Sequence, residues 1–209
     1  MTPPADTAAP GLRERHKQST RQALVGSALQ LFDDRGYSEV TVEDICAEVE
    51  VSPRTFFRYF PAKKDVLAAP ITSVLEVIRA ALFAAPPDAQ VWSSLRGALG
   101  AALHHVDEQC TDFLRVGRVL RDTPSLLASD ARALMEWEET VRDEVARRLG
   151  THAADLEPRL VVGLAMLAFR TALGLWSESD GRQSASALLA SALDAVEPGA
   201  RSIVGSHLR

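Results

Sequence analysis

Apolar positions recur at helical spacing along nearly the whole chain. Leu24, Ala28, Leu31 and Phe32 share one face of a segment predicted as helix from Lys17 to Arg35, which Gly36 ends as a left-handed cap. Thr41-Val42-Glu43-Asp44 then supplies a polar cap with a carboxylate three residues on, opening a short helix that carries Ile45 and Val49. Ser52 opens a second short helix, because its side chain accepts from otherwise unpaired N–H groups and Pro53 suits a first helical position. Pro61 limits that helix to Pro53–Phe60. Two helices of about eight residues, joined by a tight turn at Glu50-Val51, form a helix-turn-helix.

Downstream the same periodicity predicts a helix over Lys63–Phe83, closed by Pro86-Pro87, and then Gln90–Glu108, Asp112–Asp122, Leu126–Leu149, Leu156–Ser177 and Ser184–Val196. Thr123-Pro124, Gly150-Thr151, Asp180-Gly181 and Pro198-Gly199 mark the breaks. No segment alternates as a strand would, and no repeat is visible. The expected fold is all-α with about nine helices: a disordered leader over 1–12, a three-helix DNA-binding domain over 13–66, a larger helical domain over 67–197, and a tail over 198–209.

Composition narrows this further. Apolar residues make up 46% and charged residues 24%, as in ordinary globular proteins, and abundant alanine and leucine favour helix. Cys46 and Cys110 show neither CxxC nor Cys/His spacing, so neither a disulfide framework nor a zinc site is expected, and Cys46 reads as a small core residue. Free thiols suit a reducing cytoplasm, and the N-terminus lacks the apolar core of a signal peptide. The longest apolar run, Leu160 to Trp176, is interrupted by Arg170 and falls short of the roughly 20 residues a bilayer needs. It reads as a buried helix, with no membrane partner.

The net charge is −5, and residues 1–65 hold nine Lys/Arg against ten Asp/Glu, so no broad nucleic-acid-coating surface is expected. Placement says more than the sum. Phe56 and Phe60, four residues apart, pack inward on Ile45, Val49, Val51 and Leu31, leaving Pro53, Arg54, Phe57 and Arg58 outward. Arg54 suits a bidentate contact to guanine, worth about 1–3 kcal/mol of discrimination. Arg58 is open to three readings: a base contact, a phosphate contact or a solvated charge. Phe57 either lies against a thymine methyl or the sugar backbone, or is core in a differently rotated helix. Thr41 and Lys63 stand at helix starts, which attract phosphates. Arg13, Arg15, Lys17 and Arg21 read as a soluble basic leader or as an arm on phosphates or the minor groove.

An enzyme is the contrasting reading. Five scattered histidines, no HExxH, no GxSxG elbow, no P-loop and no GxGxxG leave no catalytic residues, no metal ligands and no cofactor to assign.

The stretch T-V-E-D-I-C-A-E-V-E-V-S-P-R-T-F-F-R-Y-F-P-A-K, from Thr41 to Lys63, resembles the helix-turn-helix of the TetR family, with Thr41, Ile45, Ala47, Val51, Ser52, Thr55, Phe57, Tyr59, Phe60, Lys63 and Leu67 at matching positions. The resemblance implies a dimeric transcriptional repressor on a palindromic double-stranded operator. Tyr59 then stands where the family has a Tyr or His bonded to phosphate. The DNA-contacting set is Thr41, Ser52, Pro53, Arg54, Phe57, Arg58, Tyr59 and Lys63. Glu50 and Val49 depart from the Gly and Ala frequent in that turn. A positive φ at Glu50 would strain the turn by about 1 kcal/mol, and its charge opposes DNA. A DNA-free sensor that kept the fold is therefore a third reading.

The segment from Leu160 to Phe169 is hydrophobic all round and must be covered on several sides. With Leu188, Leu189, Ala192, Leu193 and Val196 it is the natural homodimer surface, matching the family's use of its last two long helices; filling a monomeric core is the other reading. Family effector sites lie among the middle helices, which here offer His104, Phe113, Arg118, Arg121, Trp137, Phe169, Arg170 and Trp176, most of the apolar ones being of types more often found as plain core. R-T-F-F-R-Y-F-P-A-K, D-T-P-S-L-L-A and E-V-A-R-R-L-G resemble regulators related to the mycofactocin-system repressor, which implies a small hydrophobic or acyl-CoA-like effector.

Overall fold

The computed structural model describes residues 12–123, 125–126 and 131–205, with side chains described over 15–123, 125–126 and 138–203. The predicted leader lies outside the described residues except for Leu12, and the tail beyond residue 205 lies outside them too. Nine α-helices occur among the described residues: α1 (Leu12–Arg35), α2 (Val42–Glu48), α3 (Pro53–Tyr59), α4 (Ala68–Ala84), α5 (Val91–Glu108), α6 (Cys110–Asp122), α7 (Ala131–Leu149), α8 (Leu156–Glu178) and α9 (Ala185–Gly205). The fold is all-α, as the periodicity indicates. Backbone proximity divides the chain into two units, residues 1–69 and 70–209.

In the first unit Leu24, Ala28, Leu31 and Phe32 of α1 are buried with Val40, Ile45, Phe56, Phe60, Val66 and Leu67. Two boundaries differ from expectation here. α1 starts five residues early, at Leu12, so Arg15, Lys17 and Arg21 sit on helix and not on a leader. Residues 15–19 are exposed; their extension rests on the helix propensity of Arg, Lys and Gln, which apolar spacing does not register. The helix predicted over Lys63–Phe83 is instead a 3₁₀ turn, Lys63–Val66, followed by α4. Pro70 has no N–H to give the Val66 carbonyl, so the ladder cannot run through unbroken.

In the second unit α8 packs along α9, with α5 and α7 against them. Their shared core includes Leu95, Leu99, Leu103, Val145, Val161, Ala165, Phe169, Trp176, Leu189 and Leu193. α8 and the stretch 63–84 are long and apolar enough, by length and composition, to cross a bilayer. In this fold α8 buries Val161, Val162, Ala165, Ala168 and Ala172 among neighbours of its own unit. α9 does not stop at Pro198-Gly199, where a break is predicted, but continues to Gly205. Ala200, beyond the proline, is fully buried, and Ile203 packs on the core. That packing holds the helix against the roughly 3 kcal/mol an interior proline costs.

Candidate nucleic-acid interface

α3 is fixed by its ends and its inner face. The Ser52 hydroxyl accepts from the Thr55 N–H at 3.2 Å and meets Thr55 Oγ1 at 3.0 Å, while Pro53 occupies the first turn. Phe56 is fully buried, its ring 5.5 Å from that of Phe60, and the Arg21 guanidinium of α1 lies 5.3 Å from the Phe60 ring centre. With that face locked, Phe57 is 51% exposed and is not core. Ser52, Pro53, Arg54 and Arg58 are exposed beside it. The outer face thus carries two guanidiniums flanking an aromatic ring, a set that suits base edges and a thymine methyl. Arg58 lies 5.0 Å from the Tyr59 ring centre with Nη2 3.4 Å from the phenolic oxygen, which orders both side chains at the end of the helix.

Two predicted phosphate ligands have other partners. The Lys63 ammonium donates to the carbonyls of Val40 at 2.6 Å and Tyr37 at 2.7 Å, and sits 4.2 Å from the Tyr37 ring centre. It tethers the α1–α2 loop, and burial holds its pKa below the usual lysine value. One N–H of its three remains for a phosphate. The Thr41 hydroxyl donates to Asp44 Oδ2 at 2.7 Å and accepts from the Asp44 N–H at 3.1 Å, while the Thr41 N–H also goes to Asp44 Oδ2, at 2.8 Å. This capping box starts α2, and its hydrogen bonds hold the Asp44 carboxyl below its ordinary pKa.

The turn between α2 and α3 has a defined geometry. The Val51 N–H donates to the Cys46 carbonyl at 3.0 Å and the Glu50 N–H to that of Ala47 at 3.3 Å, the two bonds of a Schellman cap. That cap places Glu50 at φ 55°, in the left-handed region. Cys46 is buried there, and burial raises its thiol pKa, so the cysteine is inert core.

The described residues among those predicted to line an effector site divide between core and surface. Phe169 and Trp176 are core. His104 points to solvent, 3.4 Å from Glu108, and Arg170 is exposed. Arg118 pairs with Asp180 at 3.4 Å and Arg121 donates to Ser177 Oγ at 2.9 Å, so both brace the end of α8. Phe113 is half-buried and meets His105 edge-on at 6.3 Å; the Trp137 side chain lies outside the described residues. Two cavities of this unit lie elsewhere, one of about 200 Å³ around Ala81, Pro86 and Gly97 and one of about 230 Å³ around Arg142, Ala153 and Arg159. In the first unit a cavity of about 470 Å³ opens by Ser27, Gln30, Asp34 and Glu48.

Sequence reasoning missed an enclosed charged pair of the second unit. Glu144 and Arg148 of α7 are both withdrawn from water, and Arg148 reaches carbonyls at the end of α4. The Glu-to-Arg spacing of three and four residues was visible, but it ordinarily marks a solvated helix pair.

Comparison with known proteins agrees with this geometry. Residues 24–69 match the family model for bacterial regulatory proteins of the tetR family, and residues 89–201 match that for the MftR C-terminal domain. The chain is 34% identical over 199 residues to the HTH-type transcriptional regulator TcmR of Streptomyces glaucescens, covering 90% of this chain and 88% of that one. It is 27% identical to the putative mycofactocin biosynthesis regulator MftR of Mycobacterium tuberculosis, over 74% of this chain and 80% of that one. Among solved structures, the regulator FadR of Bacillus subtilis in complex with stearoyl-CoA has a TM-score of 0.61 at 16% identity, covering 83% of this chain and 95% of that one.

Proposed function

The chain belongs to the TetR family of bacterial regulatory proteins, and on that premise we propose that it is a cytoplasmic repressor, binding a palindromic operator as a homodimer and released by a small hydrophobic or acyl-CoA-like effector. It is a DNA-binding transcriptional regulator and not an enzyme. The observation that carries the operator-binding reading is the outer face of α3, where Arg54, Phe57 and Arg58 stand clear while Phe56 and Phe60 fix the rotation; the repressor role rests on the family. Arg54 and Arg58 read bases in the major groove; Tyr59, Thr41 and the remaining N–H of Lys63 hold the backbone.

Dimerisation through α8 and α9 is supported by exposed apolar side chains. Leu160, Leu167 and Leu175 repeat every two turns of α8 and remain 42–51% exposed. A second copy would cover them in a four-helix bundle, and two-fold symmetry would place the reading helices on half-sites about one DNA turn, or a multiple, apart. The effector class is supported by the MftR-like C-terminal domain and by the stearoyl-CoA held by FadR. Release follows if the effector binds the DNA-incompetent arrangement more tightly, pivoting the helix after Lys63 and changing the spacing of the reading helices.

The test is a gel shift on DNA upstream of the chain's own gene, paired with mass spectrometry of small molecules that co-purify with it. Specific binding is expected, and its loss when Arg54 and Arg58 are both alanine. Specific binding that survives the double substitution overturns the reading-face assignment; operator affinity unchanged by a saturating co-purified ligand overturns the release mechanism.

A further inference from the structure

α1 is longer than the core it covers. Its inward face is buried at Leu24, Val25, Ala28, Leu29, Leu31 and Phe32, and that burial ends before Arg21 is reached. Residues 15–19 and Arg21 are exposed, although the helix continues unbroken back to Leu12. Helix propensity accounts for the extension but not for what stands on each of its sides. At about 100° per residue, Arg21 and Lys17 continue the line of Leu24, Val25 and Ala28, within about 40° of one another. Arg15 is turned about 120° from Arg21 and stands on another side. Between Glu14 and Asp33 the helix holds no acidic residue. The face that is apolar over the core is therefore basic past it.

Arg21 fixes where that basic stretch begins. Its guanidinium lies 5.3 Å from the Phe60 ring centre, and Phe60 is the residue that ends α3. Immediately before it come Arg58 and Tyr59, whose guanidinium and ring centre are 5.0 Å apart. A ring contact uses none of the five N–H donors of a guanidinium. Lys17, one turn before Arg21, stands about 6 Å further along the helix axis. Positive charge thus runs from Arg58 at the end of α3 through Arg21 to Lys17, all within the first unit.

We infer that the inward face of α1 past its core, carried by Arg21 and Lys17, is a phosphate-binding surface that extends the operator contact beyond α3. The occupant is the DNA backbone flanking the bases that α3 reads. A duplex presents one charge about every 1.7 Å of its axis, so a contact that continues past α3 meets further phosphates. Such contacts fix the position of the protein and carry no sequence preference of their own. The surface is continuous with the outer face of α3, and this inference rests on the reading that α3 meets the operator.

The experiment uses the full chain and measures its affinity for an operator duplex and for a random duplex by fluorescence anisotropy across a potassium chloride series. Lys17→Ala and Arg21→Ala are each expected to lower the salt slope by about one for every bound copy of the chain, and to weaken both duplexes equally, about three- to tenfold at moderate salt. Lys17→Glu lowers the slope further, while Arg15→Ala leaves it unchanged. A thermal melt of each variant separates loss of contact from loss of fold, and the exposed Lys17 keeps the test decisive if Arg21→Ala loosens Phe60. An unchanged slope in Lys17→Ala, an Arg15→Ala effect as large as that of Lys17→Ala, or a loss confined to the operator duplex overturns the phosphate-binding surface. If the double substitution of Arg54 and Arg58 by alanine also leaves operator binding intact, the α3 reading fails with it; if that double substitution abolishes operator binding, this inference alone has failed.

Discussion

Glu144 and Arg148, one turn apart on α7, meet at 2.7 Å with side chains only 3% and 2% exposed. Hydrogen bonds from Arg147 and Arg148, with their charges, outweigh desolvation and lower the Glu144 pKa from 4.5 to about 2. Because the folded value is the lower one, the native state resists protonation and the unfolded state does not. The stabilisation is complete above about pH 4.5 and is lost as pH falls toward 2, amounting to about 3 kcal/mol over that window. Urea unfolding between pH 6 and 3 should show this slope, and Glu144→Gln should flatten it.

Arg148→Met should destabilise the second unit by about 3 kcal/mol, since carbonyls of Leu82, Ala85 and Pro86 lose a buried donor and Glu144 keeps only Arg147. A fall in Tm of roughly 6–12 °C is the expected reading by differential scanning calorimetry. A fall under about 1 °C would show that these carbonyls find water at no cost.

Glu50→Gly should stabilise the protein by about 1 kcal/mol, because glycine adopts the left-handed conformation without a Cβ penalty. The same change removes a negative charge from the turn beside α3 and should tighten operator binding, more at low salt than at high. Chemical denaturation and a salt series of anisotropy titrations separate the two effects.

Arg54→Ala should weaken specific binding by about 1–3 kcal/mol and relax preference at one base position in each half-site. Phe56→Ala acts otherwise: a cavity costing about 3–5 kcal/mol unfolds the reading unit and abolishes specific and non-specific binding together. Selection from a randomised operator pool distinguishes these outcomes.

Asp107→Ala should cost about 1–2 kcal/mol. The Asp107 carboxylate of α5 accepts from the N–H groups of Ala185 and Ser186, at 2.9 and 3.2 Å, and from the hydroxyls of Ser184 and Ser186. Desolvation raises its pKa, but those bonds together outweigh it and the net shift is downward. Thermal melting of the variant measures the loss.

Much of this was legible in one dimension. Periodicity located each α-helix among the described residues, because a face that must be buried imposes its spacing on the residues. The caps Thr41 and Ser52 were readable because their bonds are to residues three positions away. Helix ends were less so. α9 ran through Pro198 because Ala200 finds a core, and α1 began early because charged residues form helix without one. Lys63 read as a free cation because nothing local shows that the carbonyls of Tyr37 and Val40, more than 20 residues back, lie within its reach.

The sequence by itself determined an all-α chain with a helix-turn-helix and that Glu50 stands in its turn, since helical spacing and capping are local physics; whether Phe57 faces outward from α3 was left to the packing of Phe56 and Phe60. Only the tertiary structure decided that Glu50 is left-handed, that Lys63 ties a loop, and that Arg148 closes the end of α4. Each depends on where distant backbone carbonyls or the closing turn come to lie, and that is set by packing.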